Sequence, residues 1–241
     1  MTDSAAPTQS IRLFGTGYRP CPYLHDRPSQ FDFVDPRLTP TAELYDALLE
    51  QGFRRGGEHL YRNACPGCQL CQSIRIPVAR FQPRRRHRRC RRDNADVYLR
   101  DVGFRYSAEH FALYSRYVSA RHPGGGMDEA DPDLYWQYLT SEWCPTKFLE
   151  MRQTGNDQLL GVAVTDDTGA AYSAVYTFYE PEATHRGLGT LAILLQIEQA
   201  RRRRRDWLYL GYWIAGCPGM DYKTGFHPHE RLSPGGWIAE G

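Results

Sequence analysis

Residues 64–76, ACPGCQLCQSIRI, place Cys65, Cys68 and Cys71 within seven positions and follow them with alternating polar and apolar residues. Thiolates so spaced serve as metal ligands or as redox pairs. A thioredoxin-like pair needs a strand-to-helix context that this stretch lacks, which leaves a metal site or a compact turn of reduced cysteines. A second candidate is Arg186-Gly187-Leu188-Gly189-Thr190, where two glycines open an apolar run. Such an opening lets a phosphate approach backbone N–H groups at the positive end of a helix dipole. It serves equally well as a tight strand-to-helix turn. Two basic runs complete the set: Arg84, Arg85, Arg86, Arg88, Arg89, Arg91 and Arg92, then Arg201 to Arg205. They suggest a polyanionic partner, the plain alternative being a solvated face.

The rest of the composition limits the choices. The chain has 241 residues, 41% of them hydrophobic, and a net charge of only +2, with Lys147 and Lys223 as its only lysines. No stretch approaches the ~18 apolar residues of a membrane span, and MTDSAAPTQS lacks a signal pattern. A soluble, intracellular protein is expected. Seven cysteines, three of them crowded, fit metal binding or catalysis better than a disulfide framework.

The elements that hold these groups change character near residue 100. Thr39-Pro40 should open a helix with Leu44, Tyr45, Leu48 and Leu49 on its apolar face and Gly52 at its end. Short extended pieces around FRR and LYR precede the cysteines, and SIRIPVARF reads as a strand. Beyond the boundary, Ser107 should start a helix carrying Phe111, Tyr114 and Val118. HPGGGMD forms a glycine-rich loop, and Asp131-Pro132 starts a further helix. KFLEMRQ, LLGVAVTDD and AAYSAVYTFYEP are three strands joined by the turns TGND and DDTG. A largely buried helix around Leu191 to Leu195 then leads into the strand WLYLGYWIAG. The expectation is an α/β (α+β) protein in two parts: residues 1–100, bearing the cysteines and the first basic run, and residues 101–241. Three antiparallel strands, a helix and another strand resemble the core of the GNAT acyltransferases. Thr184 stands where their pyrophosphate loop usually has Gln or Arg.

Residues 209–226, YLGYWIAGCPGMDYKTGF, make the resemblance specific. With QGFRR at 51–55, CPGCQLC, YVSARHPGGGMD at 117–128 and SAVYTFYEP at 173–181, the chain resembles the aminoacyl-tRNA–protein transferases of the N-degron pathway, collinearly over residues 12 to 237. Leu24 replaces the second cysteine of the early pair found in eukaryotic arginyltransferases, and Cys65, Cys68 and Cys71 replace their adjacent pair. That places the resemblance on the bacterial branch, which transfers leucine from leucyl-tRNA to cytoplasmic proteins beginning with Asp or Glu.

The resemblance implies roles. Aminolysis of an aminoacyl ester needs positioning and oxyanion stabilisation but no enzyme nucleophile. Tyr176, Tyr212 and Lys223 are the expected catalytic residues. Arg121, His122 and Asp128 are expected to bind the acceptor, with Arg121 or Lys223 gripping its carboxylate. The tRNA contacts fall to Arg84, Arg85, Arg86, Arg88 and Arg89, with Arg201, Arg202, Gly187 and Gly189. Cys21 would join Cys65, Cys68 and Cys71 around structural zinc or an iron–sulfur cluster, the chemistry itself requiring no cofactor. Cys90, Cys144 and Cys217 remain free thiols. Arginyl transfer on the same scaffold, acyl-CoA-dependent N-acetyl transfer and a zinc-stabilised RNA-binding module are the rival readings.

Overall fold

The computed structural model describes residues 10–24, 26–121 and 131–240. Short extended pieces open the chain: β1 (Leu13–Gly15), β2 (Arg19–Pro20), β3 (Pro28–Ser29) and β4 (Phe31–Val34), with β1 on β4 and β2 on β3. Helix α1 (Ala42–Glu50) starts two residues later than Thr39-Pro40 suggested. Its cap is Thr41, whose hydroxyl accepts from the Leu44 N–H, and it buries Tyr45, Leu48 and Leu49. Gly52, at φ +83°, closes it in the left-handed conformation that glycine adopts without strain. β5 (Arg54–Gly56) and β6 (His59–Asn63) complete a four-stranded sheet of order β1-β4-β6-β5.

The strand expected after the cysteines is β7 (Cys71–Pro77). The first basic run coils into α2 (Arg85–Asp93), an element its nearly all-polar sequence did not announce, with His87 its one buried residue. β8 (Val97–Asp101) follows, then α3 (Ala108–Arg121), where Ser107 Oγ accepts from the His110 N–H, and α4 (Pro132–Leu139), capped by Asp131. β9 (Thr146–Gln153), β10 (Leu159–Asp167) and β11 (Ala171–Tyr179) form the expected antiparallel meander. A 3-10 segment, Pro181–Arg186, leads into α5 (Leu188–Arg202), and then come β12 (Trp207–Ile214) and a second 3-10 segment, Pro218–Gly225. The hairpin β13 (His229–Ser233) and β14 (Gly236–Glu240) ends the fold.

Eight strands make one mixed sheet in the order β14-β13-β7-β12-β11-β10-β9-β8. β7 and β8 belong to it, so the sheet draws strands from both sides of residue 100. Alternation along the strands sorts the helices. Phe148, Val162, Val164 and Phe178 face Leu113, Tyr114 and Val118 of α3 and Tyr135 and Leu139 of α4. Leu149, Met151 and Ala163, one residue out of phase, face Leu188, Leu191, Ala192 and Leu195 of α5. Each buried Val, Leu, Met or Phe among them stabilises the fold by about 1.5–3 kcal/mol relative to exposure. This is the GNAT arrangement, a sheet covered by helices on both faces and opened by a splay between two parallel strands.

The small sheet is locked to the large one. Arg55 of β5 grips Asp166 of β10 at 2.6 and 2.8 Å, and also donates to the carbonyls of Gly57 and Leu139; both partners are fully buried. No helix among the described residues is long and apolar enough to cross a membrane.

Candidate active site

β11 and β12 run parallel but pair only from Ala171↔Trp207 to Ser173↔Tyr209. Beyond that point both strands carry an irregularity. β11 slips one residue against β10 beside Ala174, and β12 slips against β7 between Tyr209 and Gly211. The strands part, and the carbonyl of Ala174 accepts from Arg54 Nη2 at 3.0 Å. The Arg54 guanidinium lies directly on Gly211, where any Cβ would overlap it. β5 has three residues, and alternation sends its two arginines to opposite faces: Arg55 into the buried clamp, Arg54 into the splay. Sequence reasoning assigned Arg54 no role, although QGFRR was among the quoted motifs.

Lys223 reaches the same place from the Pro218–Gly225 segment. Its Nζ donates to the Tyr212 carbonyl at 2.6 Å and is buried. Burial, and then the like charge of Arg54, bring its pKa down to about 7. A lysine so tuned takes up and releases a proton near neutral pH. The ring of Tyr222 lies beside it, with Nζ 5.8 Å from the centroid.

The expected tyrosines divide. The hydroxyl of Tyr176 is buried without a hydrogen-bond partner, and burial raises its pKa. Its ring packs near those of Tyr117 and Tyr138, with centroids 6.4 and 6.5 Å away. The Tyr212 hydroxyl instead donates to the Gly52 carbonyl at 2.8 Å and accepts from the Asn63 N–H at 3.4 Å. That hydroxyl holds the N-terminal part in place, and the contribution of Tyr212 to the splay is its backbone oxygen under Lys223. Arg121, exposed at the end of α3, donates to the Tyr179 hydroxyl at 3.4 Å and stands over that ring, on the rim. His122 and Asp128 lie outside the described residues.

A cavity of about 510 Å³ is lined by Arg86, Arg89, Asp93, Arg186, Gly187 and Tyr222. Gly187 caps α5 with φ +62°, and Gly189 brings the start of the helix close under the Tyr179 ring. Arg186 is anchored on Asn94, at 2.9 Å, and on Asp96. Arg84, the N-cap of α2, and Arg85, Arg86, Arg88 and Arg89 on the helix are all exposed. Arg88 turns back to the Pro83 carbonyl. Arg201 and Arg202 are separated from this group. They lie at the far end of α5, about 20 Å along its axis from Gly187, and Arg201 spends its guanidinium on the carbonyls of Val78 and Phe81 at 2.8 and 3.1 Å. The basic runs therefore do not form one surface: the first adjoins the splay, the second does not.

Cys71 sits within the influence of Cys65, Cys21 and Cys68, and also of Cys217, which the spacing did not point to. Burial first, then these neighbours, push its pKa up to about 12. Cys65 Sγ is engaged with the backbone N–H of Gln30 at 3.4 Å. Among the described residues, no three His, Cys, Asp or Glu side chains are grouped so that they could hold a metal ion. As placed, Cys21, Cys65, Cys68 and Cys71 do not fit a zinc or iron–sulfur centre. Cys65, Cys68 and Cys71 lie in and beside a turn, with the Cys65 sulfur held by the Gln30 backbone.

A splay with a tuned lysine, bordered by a basic cavity at a helix start, can align an activated acyl donor with an amine. Comparison with known proteins agrees. The family described as arginine-tRNA-protein transferase matches over both its parts, the N terminus at residues 19–89 and the C terminus at residues 109–233. The chain belongs to that family. It is 50% identical over 230 residues to an aspartate/glutamate leucyltransferase of Halorhodospira halophila, covering 95% of this chain and 98% of that one. A second relative of the same name, from Alkalilimnicola ehrlichii, is 48% identical over 228 residues and covers 95% of each chain. Among solved structures, the C-terminal domain of a putative lysylphosphatidylglycerol synthetase from Agrobacterium fabrum shares the fold, with a TM-score of 0.52 at 11% identity. The match covers 83% of this chain and 64% of that one.

Proposed function

We propose that the protein transfers leucine from leucyl-tRNA to the α-amino group of proteins beginning with Asp or Glu, creating a destabilising N-terminus in the cytoplasm. The observation that carries this reading is the likeness, over 95% of the chain, to proteins named for that activity. The site supports it. The neutral α-amine attacks the carbonyl carbon of the ester that joins leucine to the tRNA ribose. A C–N bond forms, the ester C–O bond breaks, and the ribose oxygen leaves. The proton lost by the amine passes to Lys223 Nζ and on to the ribose oxygen, which suits a lysine with a pKa of about 7. The partnerless Tyr176 hydroxyl donates to the oxygen that gains charge. Arg121 on the rim, with His122 and Asp128, holds the acceptor chain. Arg84, Arg85, Arg86, Arg88 and Arg89 hold tRNA phosphates, with Gly187 and Gly189 admitting the one nearest the ester.

The ester is already activated, so the reaction requires no metal or cofactor, and the thiol cluster has a structural role outside it. The test is transfer of labelled leucine and, separately, labelled arginine from charged tRNA to matched peptides beginning with Asp, Glu, Arg or Ala. Leucine on the Asp and Glu peptides alone is expected. Arginine transfer in its place would keep the mechanism and change the donor, and transfer from neither tRNA would overturn the reading.

A further inference from the structure

A cavity between the β5–β6 turn and α4 takes no part in the reaction as written. Its volume is about 570 Å³, room for several side chains. Phe104, Leu134, Trp136 and Tyr138 give it apolar walls, and Glu58 and Glu142 give it charge. Among the described residues, no Arg or Lys lines it or pairs with either carboxylate. The walls are set in place by the fold. Trp136 stacks on the buried ring of Phe148, with centroids 5.8 Å apart and planes 7° from parallel, and Phe104 packs 5.0 Å from Trp136. Glu58 accepts from the Glu142 N–H at 2.8 Å, which holds the turn against the segment after α4. Even so, Phe104, Leu134 and Tyr138 remain 49%, 63% and 48% exposed. Apolar surface gathered in one groove with a charged rim is the character of an interaction site.

Position and charge select the occupant. The reaction brings two polymers to the splay, a tRNA and a protein chain. The basic cavity at the start of α5 suits the first, on the face of the sheet that α5 covers. The groove lies with α4, which covers the opposite face, and its carboxylates repel a polyanion. It is also continuous with the splay. Tyr138 stands on its wall with its ring 6.5 Å from that of Tyr176, and β5 leads from Arg54 in the splay to Gly56 and Gly57 in the groove. Three steps of extended chain, about 10 Å, separate Arg54 from Gly57. We propose that this groove is the path of the acceptor polypeptide away from the splay. It holds the fourth to sixth residues behind the N-terminal Asp or Glu and favours an apolar residue flanked by Lys or Arg there. The inference rests on the leucyl-transfer reading for the reaction at the splay. It makes the enzyme selective for acceptor sequence beyond the first residue.

The test uses the intact protein and peptides that begin Asp-Ala-Ala: the tripeptide itself, and longer peptides continued by Lys-Leu-Lys or by Glu-Leu-Glu. Peptide binding is measured without tRNA, and kcat and KM for leucine transfer with it. The Lys-Leu-Lys peptide should have a KM about tenfold below that of the tripeptide. It should also lie about three- to fivefold below the Glu-Leu-Glu peptide. Glu142→Lys should reverse the preference between the two longer peptides. Phe104→Ser should raise KM for both longer peptides about three- to tenfold while leaving the tripeptide, kcat and leucyl-tRNA affinity within about twofold. Equal wild-type values for all three peptides, a preference unmoved by Glu142→Lys, or equal losses on all three peptides in Phe104→Ser would overturn the proposal. A fall in leucyl-tRNA affinity in Phe104→Ser would give the groove to the donor and overturn it as well. The binding arm needs no transfer, so a protein that transferred no leucine would lose the donor assignment while the two longer peptides still decided the role of the groove.

Discussion

The guanidinium of Arg86 lies across Gly225, so that a Cβ at that glycine would overlap Nη2. An arginine of the first basic run is thereby seated on a glycine of the C-terminal signature, and the seat aims it at the basic cavity. Gly225→Ala should dislodge Arg86 and weaken tRNA binding several-fold, as Arg86→Gln would, with little loss of stability because the end of a flexible side chain is what moves. In both variants the slope of log affinity against log salt should be shallower by about 1, as expected for one lost phosphate contact. Filter binding across a salt series measures it; an unchanged slope would mean that Arg86 meets no phosphate.

The two basic runs should separate in the same assay. Neutralising Arg85 and Arg89 together should lower tRNA affinity by more than neutralising Arg201 and Arg202. The second pair stands at the opposite end of α5, and Arg201 is committed to internal carbonyls. Equal effects would require a tRNA path along the full length of that helix.

Lys223 sets a pH signature. Its pKa is lowered to about 7, by burial first and by Arg54 second, so the proton-accepting form grows as pH rises through that value. Activity should rise with it. The acceptor amine titrates at about 7.7–8.0, so Lys223→Met should lower kcat and leave only this higher limb. Arg54→Gln removes the like charge and should move the lower limb upward. Stopped-assay kcat profiles from pH 6 to 9 decide the matter, and an identical profile in Lys223→Met would remove the lysine from proton transfer.

Neighbouring arginines should differ in what their loss does. Arg55→Met leaves Asp166 buried and unpaired, and should cost about 3–5 kcal/mol in urea unfolding. Arg54→Gln should stay within about 1 kcal/mol of the wild type, since it breaks one hydrogen bond to a backbone carbonyl. Similar losses in the two variants would make Arg54 a second structural clamp.

Acid should unfold the protein through Glu150. Burial alone would raise its pKa, but hydrogen bonds from Arg152, His110 and Arg100 bring it down to about 2. A carboxylate with a depressed folded-state pKa contributes stability that is present above its unfolded value of about 4.3 and lost as pH falls toward 2. His110 acts in the same direction. Burial lowers its pKa, so the unfolded state takes up a proton first as pH drops below about 6.5. Urea midpoints should therefore fall from pH 7 to pH 3, and Glu150→Gln should flatten the lower part of that decline.

The sequence revealed most where a pattern repeats over enough residues. The β9–β11 meander, α5 and the Asp131 cap of α4 all follow from alternation, apolar run and capping chemistry. The placement of β7 between β12 and β13 was hidden, because register between strands so far apart in the chain leaves no local mark. α2 escaped notice because a helix polar on nearly every side has no periodicity to read. In the site, Lys223 was legible from its motif, whereas Arg54 was not. Two adjacent arginines on a three-residue strand look alike until the fold gives one a carboxylate and the other a gap. The cysteine spacing was legible as a cluster around Cys71, but the part Cys217 takes in it was not, since that residue lies far away along the chain.

β7 lies between β12 and β13, so the middle of the large sheet is assembled from an early segment and two late ones. Arg54 lies on β5, two strands before that early segment, and Lys223 sits between the late ones. A nascent chain still lacking its last strands has neither a closed sheet nor the two cations side by side. Activity should switch on only once β12 and β13 have joined β7, and fragments lacking either the early or the late segment should be inert. A transferase assembled in this way is inert in any fragment that lacks either segment.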